Sequence, residues 1–318
     1  MSKFAREKII KGNQLIMPPG NAICYSGYRE GQSPQTGDYP SYDEILEDLR
    51  LLSGDWQYLR LYDCSQHALS VLDVIRDNKL DFKVMIGVDL SAEMSNPNCP
   101  WGGDYSDDVL LQNREINERD MNTMINVANK YSDIVFAASI GNEASVDWND
   151  HMVPVDRLLE YATLIKANIA QPITFCENYV PWHDKLLPLV EVLDFISIHT
   201  YPVWEYQTIE SALAYTEQNY QSVAHVHPNK PIIITEAGWT TNSNGRGIEP
   251  WNATVQLQAE YCAQLHHWSS QANILTFMFE AFDEPWKGSS DELEPEKHWG
   301  FFDVNRSPKL VMQRIFAA

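Results

Sequence analysis

A single (β/α)₈ barrel is the fold class this sequence predicts, and three observations predict it. Eight short apolar, β-branched or aromatic segments alternate with eight longer segments of helical period, which is the strand and helix count of that barrel. No Ser/Gly/Pro-rich linker, internal repeat or low-complexity tract divides the 318 residues, so one domain spanning 1–318, with 1–20 as an N-terminal extension, accounts for the chain. A doubly wound sheet would want a Gly-rich phosphate turn after an early strand, and none is present.

The first strand, 21–25, is an apolar run from Ala22 to Tyr25, and the helix Tyr42–Leu52 follows it. Ser41, just ahead of Tyr42-Asp43-Glu44, supplies a side-chain oxygen for the N-cap. Strand two is 58–62, followed by a helix over 68–78; strand three is 83–88, followed by a long helix over 107–131. Strand four, 134–140, is rich in Ile, Val and Phe and precedes a helix over 155–170, while strand five, 173–176, precedes one over 185–192. Strand six is 195–199, with a helix over 208–225. Strand seven, 231–235, contains Ile232-Ile233-Ile234 and leads to a helix over 254–270, for which Asn252 ahead of Ala253-Thr254 is the expected cap. Strand eight, 274–279, and a helix over 308–316 complete the set.

Hydrophobic residues make up 44% and charged residues 21%, which excludes a disordered or fibrous chain. Lys+Arg 23 against Asp+Glu 44 gives a formal charge of −21. Such a surface repels phosphate backbones and anionic lipid, so neither nucleic acid nor membrane is expected as a partner. No apolar run approaches the ~20 residues of a membrane helix. The start, Met1 to Lys8, shows no apolar leader, so a cytoplasmic location is expected; secretion or periplasmic export would need a leader not seen here. A monomer is the expected state. Five cysteines without repeating spacing argue against a disulfide framework; Cys24, Cys64 and Cys176 read as small buried hydrophobes, with a Cys24–Cys64 bridge as the lesser alternative.

Barrel chemistry sits at the carboxyl ends of the strands, where all eight loops converge. Those ends carry Tyr25, Arg60-Leu61-Tyr62-Asp63, Asp89, Asn142-Glu143, Glu177-Asn178, His199-Thr200-Tyr201, Glu236 and Glu280, with Asp283-Glu284 beyond. Polar residues belong at strand ends in any case, but four glutamates around one mouth repel one another unless the site uses them. Carboxylates gathered in an aromatic cleft suit acetal hydrolysis, in which one donates a proton and the other stays ionised to meet an oxocarbenium-like centre. Glu143 and Glu236, each the first polar group after an apolar strand, are the leading pair.

The runs Gly141-Asn142-Glu143 and Thr235-Glu236-Ala237-Gly238-Trp239 resemble those of retaining β-glycosidases of the large barrel clan. Four further stretches narrow the resemblance: Cys24-Tyr25-Ser26, Leu59-Arg60-Leu61-Tyr62-Asp63, the segment from Asp194 to Pro202, and the segment from Phe279 to Lys287. Together, over 22–309, they look like glycoside hydrolase family 17, in its microbial rather than its plant branch, whose members act on β-1,3-glucan as hydrolases or glucanosyltransferases. The resemblance implies Glu143 as general acid/base, Glu236 as nucleophile and Asn142 as the partner of the sugar 2-hydroxyl. It also implies that Glu284 and Lys287 order the nucleophile end and that Tyr25 stands near the nucleophile. Hydrolysis and transfer to a sugar hydroxyl both follow from the implied glycosyl-enzyme. The alternatives are transfer as the main activity, or a non-catalytic carbohydrate-binding barrel.

Sugars present apolar C–H faces, so aromatic platforms are expected beside hydrogen-bonding groups. Trp182, Trp204, Trp239, Trp286 and Trp299 fall in carboxyl-side loops; Trp204 and Trp239 are the stronger candidates for substrate contact, with Tyr62, Asp63 and Tyr201 at the strand ends. Arg60 either holds Glu236 or Glu284 ionised or pairs structurally with Asp63 or Glu280. His199 either orients a carboxylate, touches a sugar hydroxyl or is a satisfied buried histidine. Glu177 and Glu280 rank as supporting or sugar-binding acids. The long 89–106 segment, with Trp101-Gly102-Gly103 at its tip, is placed to wall off one end of the cleft. A metal-dependent reading through Asp63, Asp89, Glu177 and His199 finds no His-x-His, His-Glu-x-x-His or paired Cys-x-x-Cys spacing, so no metal or other cofactor is expected.

Overall fold

The computed structural model describes residues 3–316. Eight parallel strands close into a barrel: β1 (Ala22–Cys24), β2 (Tyr58–Arg60), β3 (Lys83–Ile86), β4 (Val135–Asn142), β5 (Ile173–Asn178), β6 (Ile196–His199), β7 (Ile232–Gly238) and β8 (Thr276–Phe279). Each pairs with its successor, and β8 meets β1 through Phe277 opposite Ala22 and Met278 opposite Ile23, so the barrel itself has no open edge. The helices between and after them are α1 (Tyr42–Leu52), α2 (Gln66–Asn78), α3 (Asp107–Lys130), α4 (Val155–Asn168), α5 (Leu187–Val192), α6 (Ile209–Val226), α7 (Val255–Gln271) and α8 (Leu310–Phe316). The (β/α)₈ expectation holds.

The strands that carry site residues run further than hydropathy suggests. β4, β5 and β7 extend to Asn142, Asn178 and Gly238 because ladder pairing, rather than apolar character, sets their ends. Asn142 pairs with Cys176, Glu177 with Ile198 and Asn178 with His199. Glu236 therefore lies inside β7, while Glu143 is the first residue past β4. The register slips between Ser139 and Asn142 and again between Ile198 and His199, and such bulges re-aim the side chains that follow.

Local capping explains α1. The Ser41 hydroxyl accepts from the Glu44 amide while Glu44 returns a carboxylate to the Ser41 amide at 2.8 Å, a reciprocal capping box. The expectation for Asn252 is corrected: it closes a 3₁₀ turn, Pro250–Asn252, and Thr254 caps α7 by accepting from the Leu257 amide at 3.2 Å. All five cysteines are free and buried, so no Cys24–Cys64 bridge forms; Cys24 Sγ faces the Thr235 carbonyl and Cys64 Sγ that of Gly87. Ahead of β1, a helical turn (Arg6–Ile9) and a two-residue antiparallel pair (Ile10–Lys11 with Gln14–Leu15) cover the amino end of the barrel. Arg6 ties this segment down by pairing with Asp194 and donating to the carbonyls of Lys166, Ile169 and Gln171. Among the described residues no helix is long and apolar enough to cross a membrane.

A Cβ on Gly238 would stand 2.2 Å from the Phe279 carbonyl oxygen of the neighbouring strand. Gly238→Ala is therefore expected to destabilise the barrel by more than about 2 kcal/mol, whereas Ser41→Ala should cost only about 1 kcal/mol. Urea unfolding followed by circular dichroism measures both; a Gly238 variant as stable as the wild type would contradict the close approach.

Candidate active site

Glu143, just past β4, and Glu236, on β7, line one cleft of about 870 Å³ at the carboxyl ends of the strands. One side-chain atom each from Glu143, His199 and Glu236 lie within 4.8 Å of one another. That separation lies just under the roughly 5–5.5 Å of pairs in which one carboxylate attacks a sugar while the other serves its leaving group, and well short of the gap needed to seat a water between them.

Glu143 holds an unusual backbone. Its φ is +46°, a left-handed conformation that costs a non-glycine residue about 1 kcal/mol or more. Three contacts impose it: its amide donates to the Cys176 carbonyl at 2.9 Å, the Asn149 side-chain amide donates to its carbonyl, and the His151 amide fixes Asn149 at 2.7 Å. Beneath that turn lies Glu177, fully buried, accepting from the Ser145 amide at 2.9 Å, the Ser145 hydroxyl at 2.6 Å and the Asn178 amide at 2.7 Å. Burial and then the nearby Glu143 push the Glu177 carboxyl up to about 8. Glu177 supports the turn and does not reach the cleft.

Glu236 is surrounded by donors. Arg60, 2% exposed, donates one guanidinium nitrogen to Glu236 Oε1, and Tyr201 donates its hydroxyl to Oε2 at 2.5 Å. His199 Nδ1 sits 3.5 Å from the same Oε2 and 2.9 Å from Glu143 Oε1, bridging both carboxylates. Burial alone would favour the neutral acid, but His199, Arg60 and Tyr201 outweigh it and hold Glu236 well below the usual carboxylate range. The opposite logic applies to His199: burial pulls it down, but Glu236, Cys176 and Glu143 raise it to about 10, so the imidazole carries a proton between its two partners. The second Arg60 nitrogen donates to Asn142 Oδ1, and Asn142 lines the cleft with its amino group left as a donor. Of the alternatives open for Arg60, the structure realises the one with Glu236.

Other sequence candidates separate into wall and support. Tyr62, Asp63, Tyr201, Trp204, Trp286, Lys287 and Trp299 all reach the cleft wall. Tyr62 lies flat beneath the Arg60 guanidinium at 4.4 Å, and Asp63 is partly engaged by the Ser65 amide and hydroxyl. Trp204 leans on Trp299 at 6.3 Å, and Gly247, at φ +74°, lets the chain pass against the Trp204 ring. Lys287 is fixed by Glu280 at 2.6 Å and Glu284 at 3.0 Å.

Two expectations of substrate contact, for Trp239 and Glu284, are corrected, while Tyr25 lies on the cleft wall without offering its hydroxyl to the nucleophile. Trp239 is fully buried against Tyr261, and its indole donates to the Asn252 carbonyl at 2.7 Å, because the residue after Gly238 turns behind β7 rather than into the mouth. Glu284 is 1% exposed and absent from the wall; it acts through Lys287. Tyr25 places its ring on the wall but gives its hydroxyl to Asp48 at 3.2 Å, away from Glu236; the phenol beside Glu236 is that of Tyr201. Trp182, another carboxyl-side candidate, is likewise buried and donates to the Ser197 carbonyl. Glu280, 1% exposed, supports Lys287 from behind.

Residues that sequence reasoning passed over also line the cleft, among them Tyr28, Glu205, Arg246 and Glu296. Glu296 presents a carboxylate with no hydrogen-bonding partner among the described residues; burial raises its pKa, with Glu294 and Glu143 adding to that and Lys287 and Arg246 opposing it. Its signal in sequence, the acidic run Glu292-Leu293-Glu294-Pro295-Glu296, reads as a solvated loop. Of the residues in the metal-dependent alternative, only His199 belongs to the one ligand-type cluster found among the described residues, Glu143-His199-Glu236, where Arg60 and Tyr201 already engage the Glu236 oxygens.

The family model described as the BtgE/BtgC glycoside hydrolase domain matches residues 22–300. Among curated proteins, the chain is 27% identical over 295 residues to a probable glucan endo-1,3-beta-glucosidase (btgC) of Aspergillus terreus, covering 85% of this chain and 41% of that one. It is 24% identical over 306 residues to the glucan endo-1,3-beta-glucosidase (btgC) of Emericella nidulans, covering 87% and 43%. The chain thus spans about two fifths of the length of these relatives. Among solved structures, an endo-laminarinase from Formosa superposes with a TM-score of 0.80 at 25% identity, over 92% of this chain and 85% of that one. A Rhizomucor miehei beta-1,3-glucanosyltransferase active-site mutant in complex with laminaritriose shares the fold with a TM-score of 0.71 at 21% identity, over 92% and 96%.

A hydrogen bond to a charged group is worth about 1.5–3 kcal/mol. Tyr201→Phe removes one that favours ionised Glu236, so the Glu236 titration should move to higher pH, as followed by ¹³C NMR of the labelled carboxyl. An unmoved titration would mean that the phenol does not hold this carboxylate.

Proposed function

Because the chain belongs to the BtgE/BtgC glycoside hydrolase domain family, we propose that it is a retaining β-1,3-glucan hydrolase, with Glu236 as nucleophile and Glu143 as general acid/base. The observation that carries this reading is the approach of Glu143 and Glu236 to within 4.8 Å, with donors converging on Glu236. β-1,3-glucan as substrate is supported by the names of the fungal relatives and of the Formosa endo-laminarinase.

The geometry supplies a role for each group. Ionised Glu236 attacks the anomeric carbon as the glycosidic C–O bond breaks, and the departing oxygen takes the Glu143 proton. Arg60 and Tyr201 hold the attacking carboxylate as an anion in one orientation, so little reorganisation is needed as its charge is consumed. Asn142 lines the cleft with its carbonyl oxygen taken by Arg60, and its amino group is assigned to the sugar 2-hydroxyl. His199 Nδ1, set between Glu143 and Glu236, keeps the two carboxylates from repelling one another once Glu143 has given up its proton. In the second half, Glu143 takes a proton from water or from a sugar hydroxyl, the incoming oxygen bonds to the anomeric carbon, and the Glu236 ester bond breaks. Hydrolysis and glucosyl transfer thus compete for one intermediate.

Glu236→Ala should lower turnover of laminarin by at least about 10⁴-fold without loss of fold, with azide restoring activity and giving the α-glycosyl azide. Glu143→Ala should yield the β-azide instead, since the nucleophile is retained. Proton NMR of the first product should show the β anomer. An α anomer as first product, or unchanged turnover without Glu236, would overturn the assignment.

A further inference from the structure

Once Glu143 carries the proton that the first step needs, the active centre holds one more positive charge than its carboxylates account for. Arg60 and His199 are both buried cations, whereas Glu236 supplies a single negative charge between them. An uncompensated charge inside a barrel is costly, so another buried group has to balance it. The other titratable groups that face this pair do not serve, with one exception. Burial pushes the Tyr62 and Tyr201 phenols well up and the Cys24 thiol up to about 12. Glu177, beneath the Glu143 turn, is pushed up to about 8, and Glu280 is committed to Lys287 at 2.6 Å.

The exception is Cys176. It lies on β5 in register with Asn142 of β4 and Ser197 of β6, and its carbonyl accepts from the Glu143 amide at 2.9 Å. Its own amide donates to the Ser139 hydroxyl at 3.2 Å. The thiol is fully buried, packed against the His199 imidazole and Ser139 and within electrostatic reach of Arg60. His199 Nδ1 faces Glu143 and Glu236, while its Nε2 is buried without an oxygen or nitrogen partner among the described residues. Burial alone would raise this thiol, but Arg60, followed by His199 and Ser139, outweighs it and brings Cys176 down to about 7.

We propose that Cys176 is a positioning residue of this centre, a buried thiolate that pairs with the His199 imidazolium and the Arg60 guanidinium and so keeps a proton on His199 between the two acids. This rests on the retaining reading above and supplies the anion which that reading leaves unassigned. The proton passes from sulfur to imidazole, so thiol and neutral ring become thiolate and imidazolium with no change in net charge. Two cations then face two anions, Cys176 and Glu236. When Glu236 attacks, its charge is consumed in the ester bond, while Glu143 gives its proton to the departing oxygen and becomes the second anion. The count is the same on both sides of the step, and again when the second half-reaction returns a proton to Glu143 and frees Glu236.

A thiolate absorbs in the ultraviolet where a thiol does not, which allows a test without substrate. Between about pH 5 and pH 8, below the ordinary tyrosine range, the difference between wild type and Cys176→Ser should grow by the absorbance of one thiolate. Nitrogen-15 NMR should show the His199 ring losing its proton at lower pH in Cys176→Ser than in the wild type. With laminarin, the alkaline limb of kcat/KM should move to lower pH by about one unit or more, because removing an anion makes every proton in the cluster easier to lose. Cys176→Ala should displace the limb in the same direction, whereas a role in packing alone would lower activity at all pH values and leave the limb in place. The wild-type absorbance rise by itself decides the case if neither variant folds. Absence of that rise, or a limb and a His199 titration that stay where they are, overturns the proposal and leaves the retaining reading intact. An α anomer as first product would instead end that reading, and the role assigned to Cys176 with it, although the thiolate signal would persist.

Discussion

The buried contact between Arg60 and Glu236 is the constraint around which the barrel mouth is arranged. Both side chains are nearly inaccessible, at 2% and 7% exposure, and taking two charges out of water is favourable only when their remaining hydrogen-bonding capacity is met. Here it is met by the strands themselves. Arg60 on β2 reaches the Thr235 carbonyl at 3.2 Å and the Glu236 carboxylate on β7, and extends to Asn142 at the end of β4. One guanidinium thus connects three strands from different parts of the chain, two of which present Glu143 and Glu236. Replacing it with a shorter or more flexible cation would satisfy only part of that set, because the planar fork supplies donors in several directions at once.

Charge balance follows from this contact. Two carboxylates within 4.8 Å repel each other unless cations or protons intervene, and Arg60 and His199 provide both. The site is therefore locally compensated inside a chain whose formal charge is −21. The proposed substrate, a sugar, is uncharged and gains nothing from long-range steering, so its recognition falls to the aromatic walls and to the polar groups among them. The same economy appears in the supports. Lys287 is held by Glu280 and Glu284 from behind, and Glu177, its carboxyl pushed up by burial, ties the Glu143 turn through Ser145.

How the wall was assembled is less visible from the chain. Trp204 and Trp239 look alike in sequence, each a tryptophan a few residues past a polar strand end, yet one faces the cleft and the other packs on Tyr261. Glu284 and Glu296 lie twelve positions apart in one acidic loop, and it is Glu296, not Glu284, that reaches the cavity. Tyr25 and Tyr201 both end strands, but a buried Asp48 captures the hydroxyl of the first and leaves Glu236 to the second. In each case the partner that decides orientation comes from a distant segment, so no local pattern announces it.

Apolar periodicity and the order of polar strand ends were enough, by themselves, to specify an eight-fold barrel and to single out Glu143, Glu236, Arg60 and His199, with Asn142 added by the family resemblance, because strand alternation and loop convergence are local or topological properties. Tertiary structure alone decided which of the surrounding acids and aromatics touch the cavity. Register slips near Asn142 and His199, the left-handed turn at Glu143 and competition among buried donors rotate side chains by amounts that depend on contacts remote in sequence. Those contacts exist only once the barrel has closed.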